Sequence, residues 1–413
     1  MGFVVLLISP LALADAPTHP YPGSRQADIW LLAGQSNMAG SASLPDQLPP
    51  PDPRIMLFNM DNTWIVAQDP LHRIFEAAAP IIADFRYRDG ISKERFQELR
   101  AQSKVRPLGG VGPGMPFARQ VVAGINHPLG LVPNSPGGSG MSHWDPALRD
   151  QGDNSLYGAL LNRVKMIGQP VKGLIWYQGE GEAMDNRAPA DYEKALLNLF
   201  DSFRRDLAQP TLPILYVQIA RATKSDAPDQ DRAWENVREV QRHVAAKRQG
   251  IYMVSAVDLP QTDELHLNYD GQQRLGKRLG EVALSKVYGV AGHGQPIELD
   301  RISVVHGDGE WPEIHVRFNG VSGRLAAQGR PTGFSVRFPG RKGPNPQVFR
   351  VDFDPQDPAA VILRLRAPLK QPVELLYGAG CDPYVNIVDE KDMPLPAFGP
   401  IALDWTASPA TGH

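Results

Sequence analysis

Asp28-Ile29-Trp30-Leu31-Leu32-Ala33-Gly34-Gln35-Ser36-Asn37-Met38-Ala39-Gly40 drives an apolar run straight into a serine bracketed by two glycines. The run from Ile29 to Ala33 has no polar alternation, which predicts a strand covered on both faces, as in the interior of a parallel sheet. Ligands of open α/β sheets sit beyond the carboxyl ends of such strands, and Gly34 and Gly40 permit tight backbone there. Ser36 is then either a helix cap, the usual role of a serine after a strand, or a hydroxyl presented for chemistry.

A serine nucleophile needs a base and a group that orients it. Asp263-Glu264-Leu265-His266-Leu267-Asn268-Tyr269-Asp270-Gly271 offers both within one short loop. In an extended segment neighbouring side chains point to opposite sides, so Asp263 is the candidate orienter and Glu264 faces away. Asn268 reads as a helix cap, with Leu275, Leu279 and Val282 as the buried stripe behind it. A solvated histidine ahead of an ordinary helix is the competing reading of these residues.

Working outward from Ser36, strand candidates are Ile29 to Ala33, Leu129 to Pro133, Leu174 to Gln178, Ile214 to Ile219 and Ile251 to Val254. Helical stretches lie between them: Phe117 to Ile125, Ser155 to Ile167, Asp191 to Leu207 and Trp234 to Arg248. Leu196, Leu199, Phe200 and Phe203 recur at helical spacing and are expected to pack on the sheet. This alternation predicts right-handed crossovers and a three-layer α/β/α sandwich with a parallel sheet, over residues 25–292. An excursion over about 71–110 interrupts it, with helices expected at Ile74 to Phe85 and Ser92 to Gln102; it is either a wall of the site or surface decoration. After Gly294, short alternating segments separated by Gly, Pro and Asn predict a small all-β sandwich over residues 297–405. Its default role is to brace the main body, with Tyr377, Tyr384 and Asn386 as possible points of contact.

At 413 residues and 45.3 kDa the chain exceeds the usual size of a single core. A formal net charge of -3 gives no reason to invoke nucleic acid or an anionic membrane as partner. The start is an apolar stretch ending in Ala12-Leu13-Ala14, a small-x-small pattern that predicts an export signal over residues 1–14 and a secreted or periplasmic protein with no membrane attachment after cleavage. Cys381 is the single cysteine, so no intramolecular disulfide forms and the core must supply stability. Oligomeric state is left open by these patterns.

Gly34-Gln35-Ser36-Asn37-Met38 near the start and Asp-x-x-His near the end resemble the SGNH hydrolases, specifically their carbohydrate-esterase branch of sialate O-acetylesterase and acetylxylan esterase-like proteins, whose fold is flavodoxin-like. Gly130 to Trp144 resembles the family's strand, glycine pair and tryptophan block, and Ile175-Trp176-Tyr177-Gln178-Gly179-Glu180 resembles its WxQGE block. Smaller echoes lie at Asp69 to His72, Gly112 to Ala118 and Tyr216 to Ala220. The chain departs from the pattern at Gly181-Glu182, and at Asn134 and Pro136. No G-x-S-x-G occurs, which sets the chain apart from the other common serine-hydrolase class.

The resemblance implies Ser36 as nucleophile, His266 as base and then acid, and Asp263 as orienter, with neither metal nor organic cofactor. An imidazole of ordinary pKa, about 6.5, takes a serine proton near neutral pH and returns it to a departing sugar oxygen. The oxyanion donors expected are the N–H groups of Ser36 and Gly138 and the side-chain amide of Gln178. Gln35, Asn37, His72, Trp144 and Glu180 are candidates for substrate binding, with His143 and Trp64 as weaker ones; Trp144 fits a stacking wall and the core equally. The substrate implied is an acetylated carbohydrate, either a polysaccharide such as xylan or an O-acetyl sialic acid. For the latter, Arg73, Arg86, Arg88, Arg106 or Arg187 could furnish a positive subsite. Lipid or aryl ester hydrolysis and glycan binding without catalysis are the alternatives.

Overall fold

The apolar run is a strand, β1 (Asp28–Gly34), buried at every position from Ile29 onward. Side chains alternate across a strand, so unbroken burial means that both faces of the sheet are covered. The computed structural model describes residues 18–223, 229–305, 313–340, 348–366 and 372–403, so the apolar start read as an export signal lies outside them. Among the described residues the main sheet has seven strands. Their spatial order is β3 (Trp64–Val66), β2 (Ile55–Phe58), β4 (Leu129–Asn134), β1, β5 (Val171–Tyr177), β6 (Ile214–Gln218) and β7 (Ile251–Ser255). All pairs are parallel except β2 with β3. Leu31 lies opposite Val132 on one side and Leu174 on the other, which places β1 centrally.

The strands β2 and β3 were not anticipated. Ile55 to Phe58 is short and follows a proline-rich stretch that reads as loop, whereas its pairing with β4 is a tertiary event.

Helices connect the strands: α1 (Ser36–Ala39), α2 (Pro80–Arg88), α3 (Lys93–Val105), α4 (Gly114–Gly124), α5 (Leu156–Ile167), α6 (Glu180–Met184), α7 (Pro189–Asp206), α8 (Gln230–Lys247) and α9 (Tyr269–Val282). The expected stripe of α7 is buried at Leu196, Leu199, Phe200 and Phe203. Asn268 caps α9, accepting from Gly271 N at 2.9 Å, and Leu275, Leu279 and Val282 are buried. In the excursion the single helix expected from Ile74 is instead a short turn at Ile74–Glu76, followed by α2. Pro80 explains the break, because proline opens a helix at its first position and cannot continue one.

Asp69 sits where the chain enters the excursion. Part of the residue reaches solvent, but its carboxyl oxygen Oδ1 is sealed off and has no partner. Burial raises the carboxyl pKa from 3.8 to about 7, with Arg119 pulling the other way. The folded chain therefore holds the proton more tightly than the unfolded chain does. The stability this contributes is full below the unfolded value and is lost as pH rises through the folded one. Asp69→Asn is expected to stabilise the protein by on the order of 2 kcal/mol at pH 8 and by much less at pH 4. Thermal melts of both proteins at the two pH values check this, and an equal gain at both would refute it.

Beyond α9 the strands are antiparallel. A four-stranded sheet orders β12 (Val348–Phe353), β13 (Ala360–Leu365), β9 (Glu313–Asn319) and β8 (Glu298–Val305). A three-stranded sheet orders β11 (Phe334–Arg337), β14 (Val373–Tyr377) and β16 (Phe398–Leu403), and β10 (Leu325–Ala327) pairs with β15 (Ile387–Asp389). This region is held to the α/β body by buried polar contacts. The guanidinium of Arg238, on α8, donates to the carbonyls of Gly378, Gly380 and Cys381 and also to those of Ile219 and Ala220. Gln218 at the end of β6 exchanges two hydrogen bonds with the backbone of Ala397. Of the three suggested contact residues, Tyr377 is buried, Tyr384 is exposed, and Asn386 bonds Thr332 N and the carbonyls of Gln328 and Arg330.

Candidate active site

The end of β1 creates the site. Gly34 has φ +138°, and a methyl group there would lie 2.0 Å from Tyr177 O, so only glycine fits. Its turn lets Gln35 N donate to Tyr177 O at 2.9 Å and starts α1 at Ser36. Gln35, not Ser36, occupies the cap position, which disposes of the capping role. Between Ile29 and Ala39, only Ser36 is not buried.

The Ser36 hydroxyl lies 2.9 Å from His266 Nε2, and His266 Nδ1 lies 2.9 Å from Asp263 Oδ2. The other carboxylate oxygen, Oδ1, accepts from Leu265 N at 2.8 Å and His266 N at 2.7 Å, folding the loop around the acid. Partial burial pushes the Asp263 carboxyl pKa up, but these two N–H groups and the imidazole outweigh it and hold it below the usual range. An ionised Asp263 only accepts, so it places the imidazole proton on Nδ1 and leaves Nε2 to accept from the Ser36 O–H.

Beside Ser36 lies the turn after β4. Ser139 Oγ donates to Gly34 O at 2.8 Å, tying this turn to the end of β1. Gly138, at φ +72°, is exposed, and neither its N–H nor that of Ser36 has an acceptor among the described residues. These two donors are available to an oxyanion formed at Ser36.

The third expected donor is not available. Gln178 is completely buried and its amide donates to Glu182 Oε2. Glu182, the residue at which the QGE block departs from pattern, also accepts from Met141 N at 2.7 Å and so fixes that turn from below.

The five main residues expected to bind substrate are also withdrawn from solvent, whereas the weaker candidates Trp64 and His143 are half-buried. Trp144 is fully buried against Trp176, with centroids 5.2 Å apart, and its Nε1 donates to Ser139 Oγ at 3.3 Å. It supports the turn and offers no face to a sugar. His72 is buried with Nε2 unpartnered, and burial lowers its pKa to about 3, so it is a neutral core residue. Gln35 is buried and accepts from Gly179 N at 3.4 Å. Trp64 lies on the edge strand β3, donating to His19 O. His143 accepts from Gly140 N at 3.0 Å through Nδ1, and burial followed by the charge of Arg88 lowers its pKa.

Asn37 and Glu180 form a brace. Asn37 Nδ2 donates to Glu180 Oε1 at 2.7 Å and to Leu265 O at 3.3 Å, and its Oδ1 accepts from Leu267 N at 3.0 Å. Leu265 and Leu267 flank His266, so the residue after Ser36 grips the loop carrying the imidazole. Burial raises the Glu180 pKa while the Asn37 amide opposes that rise. Sequence pattern flags Asn37 only by adjacency, because the partners of its side chain lie 143 to 230 residues away. Among the described residues, no group of three His, Cys, Asp or Glu side chains is placed to hold a metal ion.

A family model described as carbohydrate esterase, sialic acid-specific acetylesterase, matches residues 26–285. A probable carbohydrate esterase from Arabidopsis thaliana is 28% identical over 266 residues, covering 62% of this chain and 90% of that protein. The crystal structure of a carbohydrate acetylesterase from Xanthomonas citri superposes with a TM-score of 0.64 at 21% identity, over 91% of this chain and 80% of that one. That last likeness is one of fold, and its reach includes the antiparallel sheets. With its α/β body matched from end to end by the family model, the chain belongs to the sialic acid-specific acetylesterase family of carbohydrate esterases.

Proposed function

We propose that the protein is a serine esterase that removes acetyl groups from carbohydrate hydroxyls through an acetyl-enzyme intermediate. The observation that carries this reading is the unbroken path from Ser36 Oγ through His266 to Asp263, with both links at 2.9 Å. Ser36 Oγ attacks the ester carbonyl while His266 Nε2 takes its proton. The resulting oxyanion is received by the N–H groups of Ser36 and Gly138, and Asp263 stabilises the imidazolium. Collapse breaks the bond to the sugar oxygen, which leaves with the proton from Nε2. Water then gives a proton to Nε2, attacks the acetyl carbon and releases acetate, with the proton returned to Ser36 Oγ. Nothing in these steps calls on a cofactor.

Family membership supports an acetylated carbohydrate as substrate, and acetylated polysaccharide and O-acetyl sialic acid both belong to that class. Export is part of the proposal, resting on the Ala12-Leu13-Ala14 pattern alone.

The test is acetate release by the purified protein from acetylated xylan and from O-acetyl sialic acid, side by side, with a fluorophosphonate probe for the serine. Release from one donor together with probe labelling is the expected result. Labelling without release from either donor would move the search to lipid or aryl esters, and a serine inert to the probe would end the enzymatic reading.

A further inference from the structure

The excursion brings one cation to the nucleophile. Helix α2 lies against the turn that carries Gly138: the Phe85 ring meets His143 edge-on at 4.9 Å, and Arg88 Nη1 lies 3.1 Å from His143 Nε2. On the same helix, Arg86 Nη1 pairs with Asp89 Oδ2 at 3.0 Å, while Arg86 Nε is buried without a partner. Its remaining nitrogen, Nη2, has no acceptor among the described residues and faces Gly137. A methyl group built on Gly137 would lie 3.4 Å from Arg86 Nη2 and 3.6 Å from Ser36 Cβ, with nothing else within 4 Å. Arg86 Nη2 and Ser36 Cβ thus border the same small gap beside Gly137.

A guanidinium is always charged, and an incompletely paired one beside a reaction centre favours an anionic acceptor. Its planar donors match a carboxylate better than they match a neutral hydroxyl. Asp89 is itself half exposed and engages only Nη1, which leaves the side facing Ser36 open. We propose that Arg86 determines substrate specificity by receiving the carboxylate of an acidic sugar through Nη2, so that the site favours acetyl esters on sialic or uronic acids over those on neutral sugars. This rests on the esterase reading above. Because the gap is narrow, the favoured ester sits on a hydroxyl close to the acid group.

The experiment compares O-acetyl galacturonic acid and O-acetyl sialic acid, each as free acid and as carboxyl methyl ester, with wild type and Arg86→Gln. Wild type is expected to prefer the free acid by roughly 10- to 100-fold in kcat/KM, mostly through KM, for at least one of the two sugars. The sugar that shows the preference names the acid. In Arg86→Gln that preference is expected to shrink to within about threefold. Gly137→Ala is a second variant, since its methyl meets only ordinary contacts; by filling the gap it should reduce the same preference. Turnover of 4-nitrophenyl acetate and probe labelling in the same preparations report the serine chemistry separately, so failure of the esterase reading shows there first. With that chemistry intact, equal turnover of acid and methyl ester by wild type would overturn the proposal. So would an Arg86→Gln loss that is the same for both, because that loss marks an oxyanion contact instead.

Discussion

Ser36→Ala is expected to lower acetate release roughly 10,000-fold or more while leaving the fold intact. In the proposed mechanism the Ser36 oxygen bonds to the acetyl carbon, and His266 Nε2 lies 2.9 Å from it. The residual rate comes from the two N–H donors and from binding alone. Stability should move by less than about 1 kcal/mol, because Ser36 is partly exposed and its side chain makes one hydrogen bond, to a histidine that is itself partly exposed. Single-turnover acetate assays and a thermal melt check both halves. A variant retaining a tenth of wild-type activity would show that the nucleophile lies elsewhere.

Asn37→Ala is expected to act on both stability and rate. Asn37 is completely buried, and its removal leaves Leu267 N without its acceptor and Glu180 Oε1 without its donor. Buried groups that lose partners cost their desolvation, so a loss of about 2–4 kcal/mol is expected. Burial raises the Glu180 pKa and Asn37 opposes that rise, so the variant should push Glu180 further towards its protonated form. With its grip on Leu265 and Leu267 gone, the loop no longer holds His266 Nε2 at 2.9 Å from Ser36. A shift of about 1 Å is enough to lower kcat by roughly 100-fold. The signature is a fall in kcat with KM little changed, together with slower labelling of Ser36 by the probe. A destabilised variant that keeps full kcat at a temperature where it is folded would show that Asn37 serves only the fold.

The local patterns of this chain that carried most weight were those whose physics is local. An apolar run without alternation fits a strand covered on both faces, and Ile29 to Ala33 is one. An Asn ahead of a heptad-like stripe can be recognised as a cap, and Asn268 is one. The juxtaposition of Ser36 with an Asp-x-x-His loop 230 positions away was inferred through family resemblance, and the structure places those residues in contact.

What could not be read locally were outcomes of competition for space. Trp144 and His72 were expected to bind substrate and Gln178 to donate to the oxyanion, and all three are buried, Trp144 against Trp176 and Gln178 with its amide on Glu182. Burial is a property of what covers a residue, and the cover comes from distant segments. Strands β2 and β3 were missed for the same reason, since their short runs are stabilised by pairing with β4 and with each other. Among five arginines with equal claims in the sequence, Arg86 alone meets Ser36 across Gly137, because Pro80 starts a helix whose face is set by packing against His143. The sequence by itself determined the sheet interior and the cap of α9, which depend on neighbours a few residues away, while the candidate triad was legible only through family resemblance. Tertiary structure alone decided which polar side chains face the opening, because that depends on long-range packing, which local sequence patterns do not encode.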